Sequence, residues 1–397
     1  MQSLAIVDFS VVTCLAAGRA ATVAALREGR GGLAPCRFEA FPFPTHTGEI
    51  AGLDGDPLDG ALADFDCRNN RLAMRALRQD GFLGSVAAAR ARFGAARIGV
   101  FVGTSTSGLL QTETAYRNRD GATGDLPKNF DYDRTHNTYS LARFVRAVCG
   151  LRGPAFVVST ACAATAKVFA TASRMIAAGI CDAAIVGGAD TLCATTLYGF
   201  YALGVIAAGP CRPFDAERSG ISIGEAAGFA LLERPAGHHD DNTVLLLGAG
   251  ESADAYHMSS PHPEGIGARL AMQRALAAAG LEPTDIDYIN LHGTATPVGD
   301  AAEDAATSGL FGPAIPCNST KGFTGHTLGA SGVVEAAFCA LAIQHGFMPG
   351  SPHTETLDPG FRSHYVVQGR TARIDVAMSN SFGFGGSNCS LILGRAS

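Results

Sequence analysis

The stretch Val158-Ser159-Thr160-Ala161-Cys162-Ala163-Ala164-Thr165 sets a cysteine where a short apolar strand gives way to a helix. Pro154 to Ser159 predicts a buried strand. From Ala163 to Ala178 the chain is almost all Ala, Val, Phe, Met and Ile, with Lys167 and Arg174 seven apart and Gly179 as a C-terminal stop. A thiol at the first turn of such a helix faces unpaired N–H groups and the positive end of the helix dipole. Both favour thiolate over thiol, as a sulfur nucleophile requires. Position alone does not decide, because Cys162 is one of 11 cysteines and a lone buried cysteine is most often a small core residue.

Length and composition set the frame. A chain of 397 residues holds two domains or one large α/β unit. Its 47% hydrophobic content, 49 glycines and absence of tryptophan describe a tightly packed globular protein, neither disordered nor membrane-embedded. A net charge of −6 supplies no general field for nucleic acid. The cysteines form no CxxC pairs, so reduced thiols and a cytoplasmic location are expected. The start, Met1 to Gly18, lacks a basic region, contains Asp8 and reads as a first strand and turn. No uncharged apolar run reaches the length of a membrane span.

Strand-like and helix-like segments alternate. Arg97 to Val102 predicts a strand ending in Gly103-Thr104-Ser105-Thr106-Ser107-Gly108, and Ala155–Ser159, the Cys162 helix and Asp182–Gly187 form a β-α-β unit. A second series starts at Val244, with a helix over 268–279, a strand over 288–291, a helix after Pro297 and another over about 330–344. Two strands around Phe382 to Asn388 close the chain. The segment from Leu231 to Asn242, with Pro235 and Gly237, is the best boundary, giving halves 1–243 and 244–397 of an internally duplicated, layered architecture. The repeat is one of topology, without a sequence period.

Three further loops carry chemistry. Asn290-Leu291-His292-Gly293-Thr294-Ala295-Thr296-Pro297 ends a strand on a histidine and leads into a helix. Asn318-Ser319-Thr320-Lys321-Gly322-Phe323-Thr324-Gly325-His326 sets a lysine and a histidine five apart among glycines, so both can converge on one point while backbone approaches a ligand. Ser381-Phe382-Gly383-Phe384-Gly385-Gly386-Ser387-Asn388 lies between two strands and can swing a Phe or present N–H groups. It precedes no helix, which speaks against phosphate cradling. A single strand-end histidine is more often structural, and no HxxxH or HExxH spacing points to zinc.

All four sites together, in this order, resemble the elongating, decarboxylating β-ketoacyl–acyl-carrier-protein synthases. Arg212-Pro213-Phe214-Asp215 and Asp254-Ala255-Tyr256-His257-Met258 add to the likeness, which runs essentially from end to end. The resemblance implies a thiolase-like α/β fold, a duplicated five-layer αβαβα core with two five-stranded sheets. It also implies pairing of two chains through the N-terminal half, as a homodimer or with a homologous synthase-like subunit. No tightly bound cofactor is expected; substrates arrive on the 4′-phosphopantetheine arm of an acyl carrier protein.

The chemistry fits the residues independently. A Claisen condensation needs a thiol to hold an acyl chain, and Cys162 supplies one. Loss of carbon dioxide from a malonyl thioester leaves an enolate, and neutral His292 and His326 can donate hydrogen bonds where that charge develops. A nearby Lys321 discourages protonation of the imidazoles. The resemblance assigns Glu335 as partner of Lys321, Glu303 and Asp300 as supporting acids, and the N–H groups of Cys162 and Phe384 as an oxyanion hole, with the Phe384 ring as a gate. It further implies Thr294 and Thr296 as pantetheine-binding hydroxyls, Thr106 and Phe200 as acyl-pocket residues, and Asn137 as an acyl-pocket residue bordering it across the dimer. Arg68, Arg71, Arg75 and Lys128 are candidates for carrier docking.

Some positions depart from the family pattern. The first strand is expected to end at Val7-Asp8-Phe9-Ser10, where the family shows a TGxG turn, the 207–212 connection looks short, and Thr106 and Asn137 are more polar than a saturated chain would want. These departures point toward a specialised pathway, such as aryl polyene or polyketide extension. A non-catalytic chain-length-factor-type subunit would lack the nucleophile, and a thiolase would carry a second catalytic cysteine where Phe384 stands.

Overall fold

The computed structural model describes residues 1–235 and 242–396. Numbered along the chain, the strands of its main sheet are β1 (Leu4–Thr13), β2 (Ile98–Gly103), β3 (Ala155–Val158), β4 (Ala183–Asp190), β5 (Ala226–Glu233), β6 (Val244–Ala253), β7 (Tyr288–Asn290), β8 (Pro316–Asn318), β9 (His364–Tyr365), β10 (Val376–Gly383) and β11 (Ser387–Arg395). They lie in the order β9-β8-β7-β10-β11-β6-β1-β5-β4-β2-β3.

One topology occurs twice. β1 pairs antiparallel with β5, β5 antiparallel with β4, and β4 and β3 flank β2 in parallel. In the same pattern β6 pairs antiparallel with β11, β11 antiparallel with β10, and β10 and β8 flank β7 in parallel. The two sets of five join edge to edge, where Leu4, Ala5 and Ile6 face Leu246, Leu245 and Val244. β2 and β4 are buried along their whole length, the mark of strands covered by helices on both faces.

The packing has five layers. The covering helices used below are α1 (Arg68–Leu77), α2 (Phe82–Phe93), α3 (Tyr139–Cys149), α4 (Ala164–Ala177), α5 (Ala194–Ala202), α6 (Ile266–Ala279), α7 (Pro297–Phe311) and α8 (Ser331–His345). Helices α4 and α8 fill the centre, where Val168, Phe169, Val334, Phe338 and Leu341 share one core with the inward faces of β1, β5 and β11. Leu72, Phe82, Phe144 and Val145 of α1, α2 and α3 form a second core against the outer face of the first set of strands. Met272 and Ala306 of α6 and α7 help form a third against the second set. The stretch Leu328–His345 is long and apolar enough for a span, yet 89% of it is buried as this central helix.

Three sequence expectations change. The Leu231–Asn242 boundary overlaps the end of β5, and its middle, 236–241, lies outside the described residues. Val7-Asp8-Phe9-Ser10 is the middle of β1, not its end. The register shifts between Ile6 and Asp8, and the Asp8 carboxylate accepts from Arg19 Nη1 (2.9 Å) and Ser85 Oγ. β3 is an edge strand rather than a buried one, with Phe156 46% exposed.

Candidate active site

Cys162 lies just before α4, whose first residue is Ala164. The chain turns there through Ala161 at φ 49°, an unfavourable conformation for a residue with a Cβ, held by the surrounding structure. Opposite, a single helical turn, Lys321–Thr324, and a short 3₁₀ turn, Leu328–Ala330, bracket His326. These loops meet: His326 Nε2 stands 3.0 Å from Cys162 Sγ.

The tautomer of His326 follows from its other nitrogen. Nδ1 accepts the Leu328 N–H at 3.2 Å and lies 3.0 Å from Ser331 Oγ. A neutral imidazole accepting at Nδ1 carries its proton on Nε2, so the N–H points at the sulfur. His292 is set the same way. The Lys321 ammonium, a donor only, lies 3.3 Å from His292 Nδ1 and donates to His292 O at 2.6 Å. Its third contact is the Glu335 carboxylate, which completes a buried ion pair. Two Nε2–H groups are thereby directed at the space beside the thiol, on rings 5.3 Å apart and nearly perpendicular.

Electrostatics keep those rings neutral. Burial and then the Lys321 charge hold both histidines well below the ordinary imidazole value, with His326 adding to the effect on His292. Burial lifts the Glu335 carboxyl to about 7, against the pull of Lys321. Glu303 is also raised to about 7 by burial; its two oxygens accept the His292 and Gly293 N–H groups at 2.8 and 2.7 Å and fix the strand end. Asp300, raised to about 6 by burial, accepts from Phe214 N and Ala295 N.

The thiol departs from the helix-dipole expectation. Cys162 is only 7% exposed, and burial raises it to about 11. Lys321 and the backbone N–H groups of Phe384 and Cys162 act in the opposite direction without overcoming it. Desolvation therefore outweighs the helix terminus in the resting site, and the thiolate depends on those donors and on His326 Nε2–H.

Thr294 and Thr296 line the cavity of about 340 Å³ that opens onto Cys162, their hydroxyls 2.9 Å apart. Phe200 and Phe384 form another part of its wall, with rings 5.9 Å apart. The Phe384 loop is tied to the 254–258 segment: Gly385 N donates to Met258 O, Asp254 N to Gly386 O and Asn388 Nδ2 to Asp254 Oδ1. Thr106 and Asn137 do not line this cavity. The Thr106 hydroxyl donates to Asp190 Oδ1 (2.8 Å), and Asn137 Oδ1 accepts from Tyr139 N. Both polar groups are thus hydrogen-bonded within the chain.

The basic candidates separate. Arg68 is 2% exposed and bound to Glu225 and Asp54, so it is an internal strut. Arg71 clasps Asp66, and Arg75 donates to Ala51 O and Gly52 O. Arg68 and Arg71 have their charge paired with carboxylates, whereas Arg75 meets only neutral carbonyls and Lys128 is exposed. Sequence reading missed Ser331, whose place at the first turn of α8 after His326 was a usable signal. It also missed Asp190, which accepts from Thr104 Oγ1, Ser105 N and Thr106 N, and Arg218, 3.9 Å from Asp300 and paired with Asp358; neither had a local signal.

The ligating atoms of Cys162, His292 and His326 lie within 4.8 Å of one another, a spacing a metal ion could use. The Lys321 ammonium against His292 opposes a cation there. A buried thiol facing two neutral imidazole N–H donors, in a duplicated α/β fold, defines a cysteine-dependent acyl-transferring, carbanion-stabilising enzyme.

Comparison with known proteins agrees. The beta-ketoacyl synthase N-terminal domain matches residues 1–238, and the beta-ketoacyl synthase C-terminal domain matches residues 244–355. The chain belongs to the beta-ketoacyl synthase family. It is 40% identical over 261 residues to the mitochondrial 3-oxoacyl-[acyl-carrier-protein] synthase of Arabidopsis thaliana, covering 61% of this chain and 57% of that one. It is 33% identical over 372 residues to 3-oxoacyl-[acyl-carrier-protein] synthase 2 of Staphylococcus aureus, covering 87% and 92%. Among solved structures, a chain from the complex of the ketosynthase ApeO with its chain length factor ApeC from Xenorhabdus doucetiae superposes with TM-score 0.89. It is 36% identical, over all of this chain and 98% of that one.

Proposed function

We propose that the protein elongates an acyl chain by decarboxylative Claisen condensation. Cys162 Sγ attacks an acyl thioester and releases the carrier thiol, leaving the acyl group on sulfur. A malonyl thioester then loses carbon dioxide while His292 and His326 Nε2–H stabilise the developing enolate oxygen. The enolate carbon attacks the Cys162 thioester, the carbon–sulfur bond breaks, and β-ketoacyl thioester leaves on the carrier. The N–H groups of Cys162 and Phe384 serve as the oxyanion hole of acyl transfer, and the Phe384 ring gates the cavity. The observation that carries this reading is the pair of Nε2–H groups, held neutral by burial and then by Lys321, beside the nucleophile.

The substrates arrive on the phosphopantetheine arm of an acyl carrier protein, between Thr294 and Thr296. The unpaired edge of β3, with exposed Phe156, is the natural place for an identical or homologous subunit to pair. The retained Cys162, His292 and His326 favour the catalytic subunit over a chain-length-factor role. Residues 1–243 and 244–397 act as the two halves, one carrying the nucleophile and the other the histidines. A specialised chain remains our preferred substrate, supported by the likeness to a ketosynthase solved with a chain length factor. Eleven unpaired thiols suit a reducing compartment, in keeping with a cytoplasmic location.

The test is malonyl-carrier decarboxylation. His292→Ala and His326→Ala each abolish it while Cys162 is still acylated, at least slowly; retained decarboxylation in both would refute the mechanism. Cys162→Gln ends condensation, and normal elongation by that variant would remove the nucleophile.

A further inference from the structure

Thr165 is fully buried on the first turn of α4, three residues after the nucleophile. Its hydroxyl donates to Gly329 O at 2.6 Å and accepts the Val333 N–H at 3.0 Å. Both partners flank the element that holds the second histidine. Gly329 lies in the short turn after His326, and Val333 lies in the first turn of α8, where helical N–H groups have no partner within their own helix. Ser331, in the same turn, stands 3.0 Å from His326 Nδ1.

The packing makes this the fixed crossing point of two helices. A Cβ on Gly332 would come within 2.4 Å of Ala166 N, so the first turns of α4 and α8 touch backbone to backbone. On its other side the Thr165 methyl fills the space left by two strand glycines; a Cβ on Gly188 would lie 2.8 Å from it and one on Gly103 3.0 Å. The methyl packs that wall, and the hydroxyl, held by its own two bonds, reaches across to the histidine loop. One short path links the two reacting side chains: Cys162, the α4 backbone, Thr165 Oγ1, the first turn of α8, Ser331 and His326.

We infer that Thr165 is a positioning residue that sets the distance between the Cys162 sulfur and His326 Nε2–H. Its hydroxyl satisfies a helix N–H and a turn carbonyl that have to stay aligned for His326 to reach the sulfur. The inference rests on Cys162 as nucleophile and on the condensation reading only for its kinetic arm.

The variants are Thr165→Val, which keeps the shape and removes the hydroxyl, and Thr165→Ser, which keeps the hydroxyl. Two readouts separate positioning from simple folding. The first is the pH profile of Cys162 alkylation by iodoacetamide, which needs no carrier and no condensation. The second is the split of kcat against KM in malonyl-carrier elongation. Thr165→Val is expected to move the alkylation profile to higher pH, since the sulfur loses the aligned donor that stabilises its thiolate. It is also expected to lower kcat by roughly 10- to 100-fold with KM unchanged, the scale of a small misplacement of reacting groups. Thr165→Ser restores both.

An unchanged alkylation profile and kcat in Thr165→Val, whatever its melting temperature, overturn the proposal. So does failure of Thr165→Ser to restore them. If Thr165→Val does not fold, Thr165→Ala, too small to overpack the glycine wall, is read by the same criteria. A wild-type chain that alkylates at Cys162 but does not elongate any carrier-bound acyl group sinks the condensation reading, while the alkylation arm still decides the role of Thr165.

Discussion

Replacing Lys321 by Met removes the cation on which three buried groups converge while keeping most of the side-chain volume. In the native site burial raises the Glu335 carboxyl from 4.5 to about 7, with Lys321 pulling it down. A folded value above the unfolded one contributes stability that is fully present below 4.5 and is lost as pH rises through 7. At 1.36 kcal/mol per pH unit, that window of about 2.5 units corresponds to about 3 kcal/mol, with no further loss above 7. Without Lys321 nothing pulls the carboxyl back, and a fully buried glutamate reaches roughly 8–9. The variant should keep losing stability over that additional interval, by roughly 2 kcal/mol between pH 7 and 9. Near pH 5, where the carboxyl is protonated in both folded chains, the gap between variant and native chain is smallest.

Urea unfolding of both chains at pH 5, 7 and 9 measures this gap directly. Parallel stability curves across that range would refute the assignment of Lys321 as the charge that restrains Glu335. The same variant strips His292 Nδ1 of its donor, and Lys321 no longer opposes protonation of either ring. Malonyl-carrier decarboxylation should fall by roughly 100-fold or more, the scale of one lost oxyanion donor. The acid limb of its pH profile should also move to higher pH, because both imidazoles become easier to protonate.

Two further outcomes test the surrounding structure. Arg68→Met leaves the buried Glu225 carboxylate without its cation and should destabilise the fold by roughly 3–5 kcal/mol in urea. The KM for the acyl carrier should not change, and a raised KM in the folded variant would return Arg68 to the docking surface. Glu303→Gln turns an NH₂ group toward one of the two N–H donors at His292 and Gly293. Decarboxylation should fall about tenfold through kcat, and an unchanged kcat would show that the strand end holds His292 without that carboxylate.

What the sequence made legible follows from how locally each feature is specified. Cys162, His292, Lys321 and His326 sit at ends of short apolar runs, where chain direction and glycine content already force a loop, and their order supplied the rest. Glu335 came from the family resemblance, and its ion pair with Lys321 agrees with a buried lysine's need for an acid. Arg68 could not be read this way, because its partners Asp54 and Glu225 lie 14 and 157 positions off, and a cluster of arginines at helical spacing looks the same exposed or buried. The bond of Thr106 is hidden for the same reason: Asp190, which takes its hydroxyl, is 84 residues away.

The ionisation of Cys162 shows where local reasoning gives way. The helix start is a property of residues 159–177, and it rightly marked the sulfur as unusual. What sets the balance is tertiary. Burial raises the thiol, while Lys321 and the backbone N–H groups of Phe384 and Cys162 oppose that rise, and His326, 164 residues along, sets its Nε2 3.0 Å from the sulfur. A helix terminus contributes about 1 kcal/mol at a surface, whereas taking an anion out of water costs several. The sulfur is therefore a thiol at rest that becomes a competent nucleophile only where the donors of the second half are aligned with it. Reactivity in this site is a property of the junction between the Cys162 helix and the His326 turn, not of either segment alone.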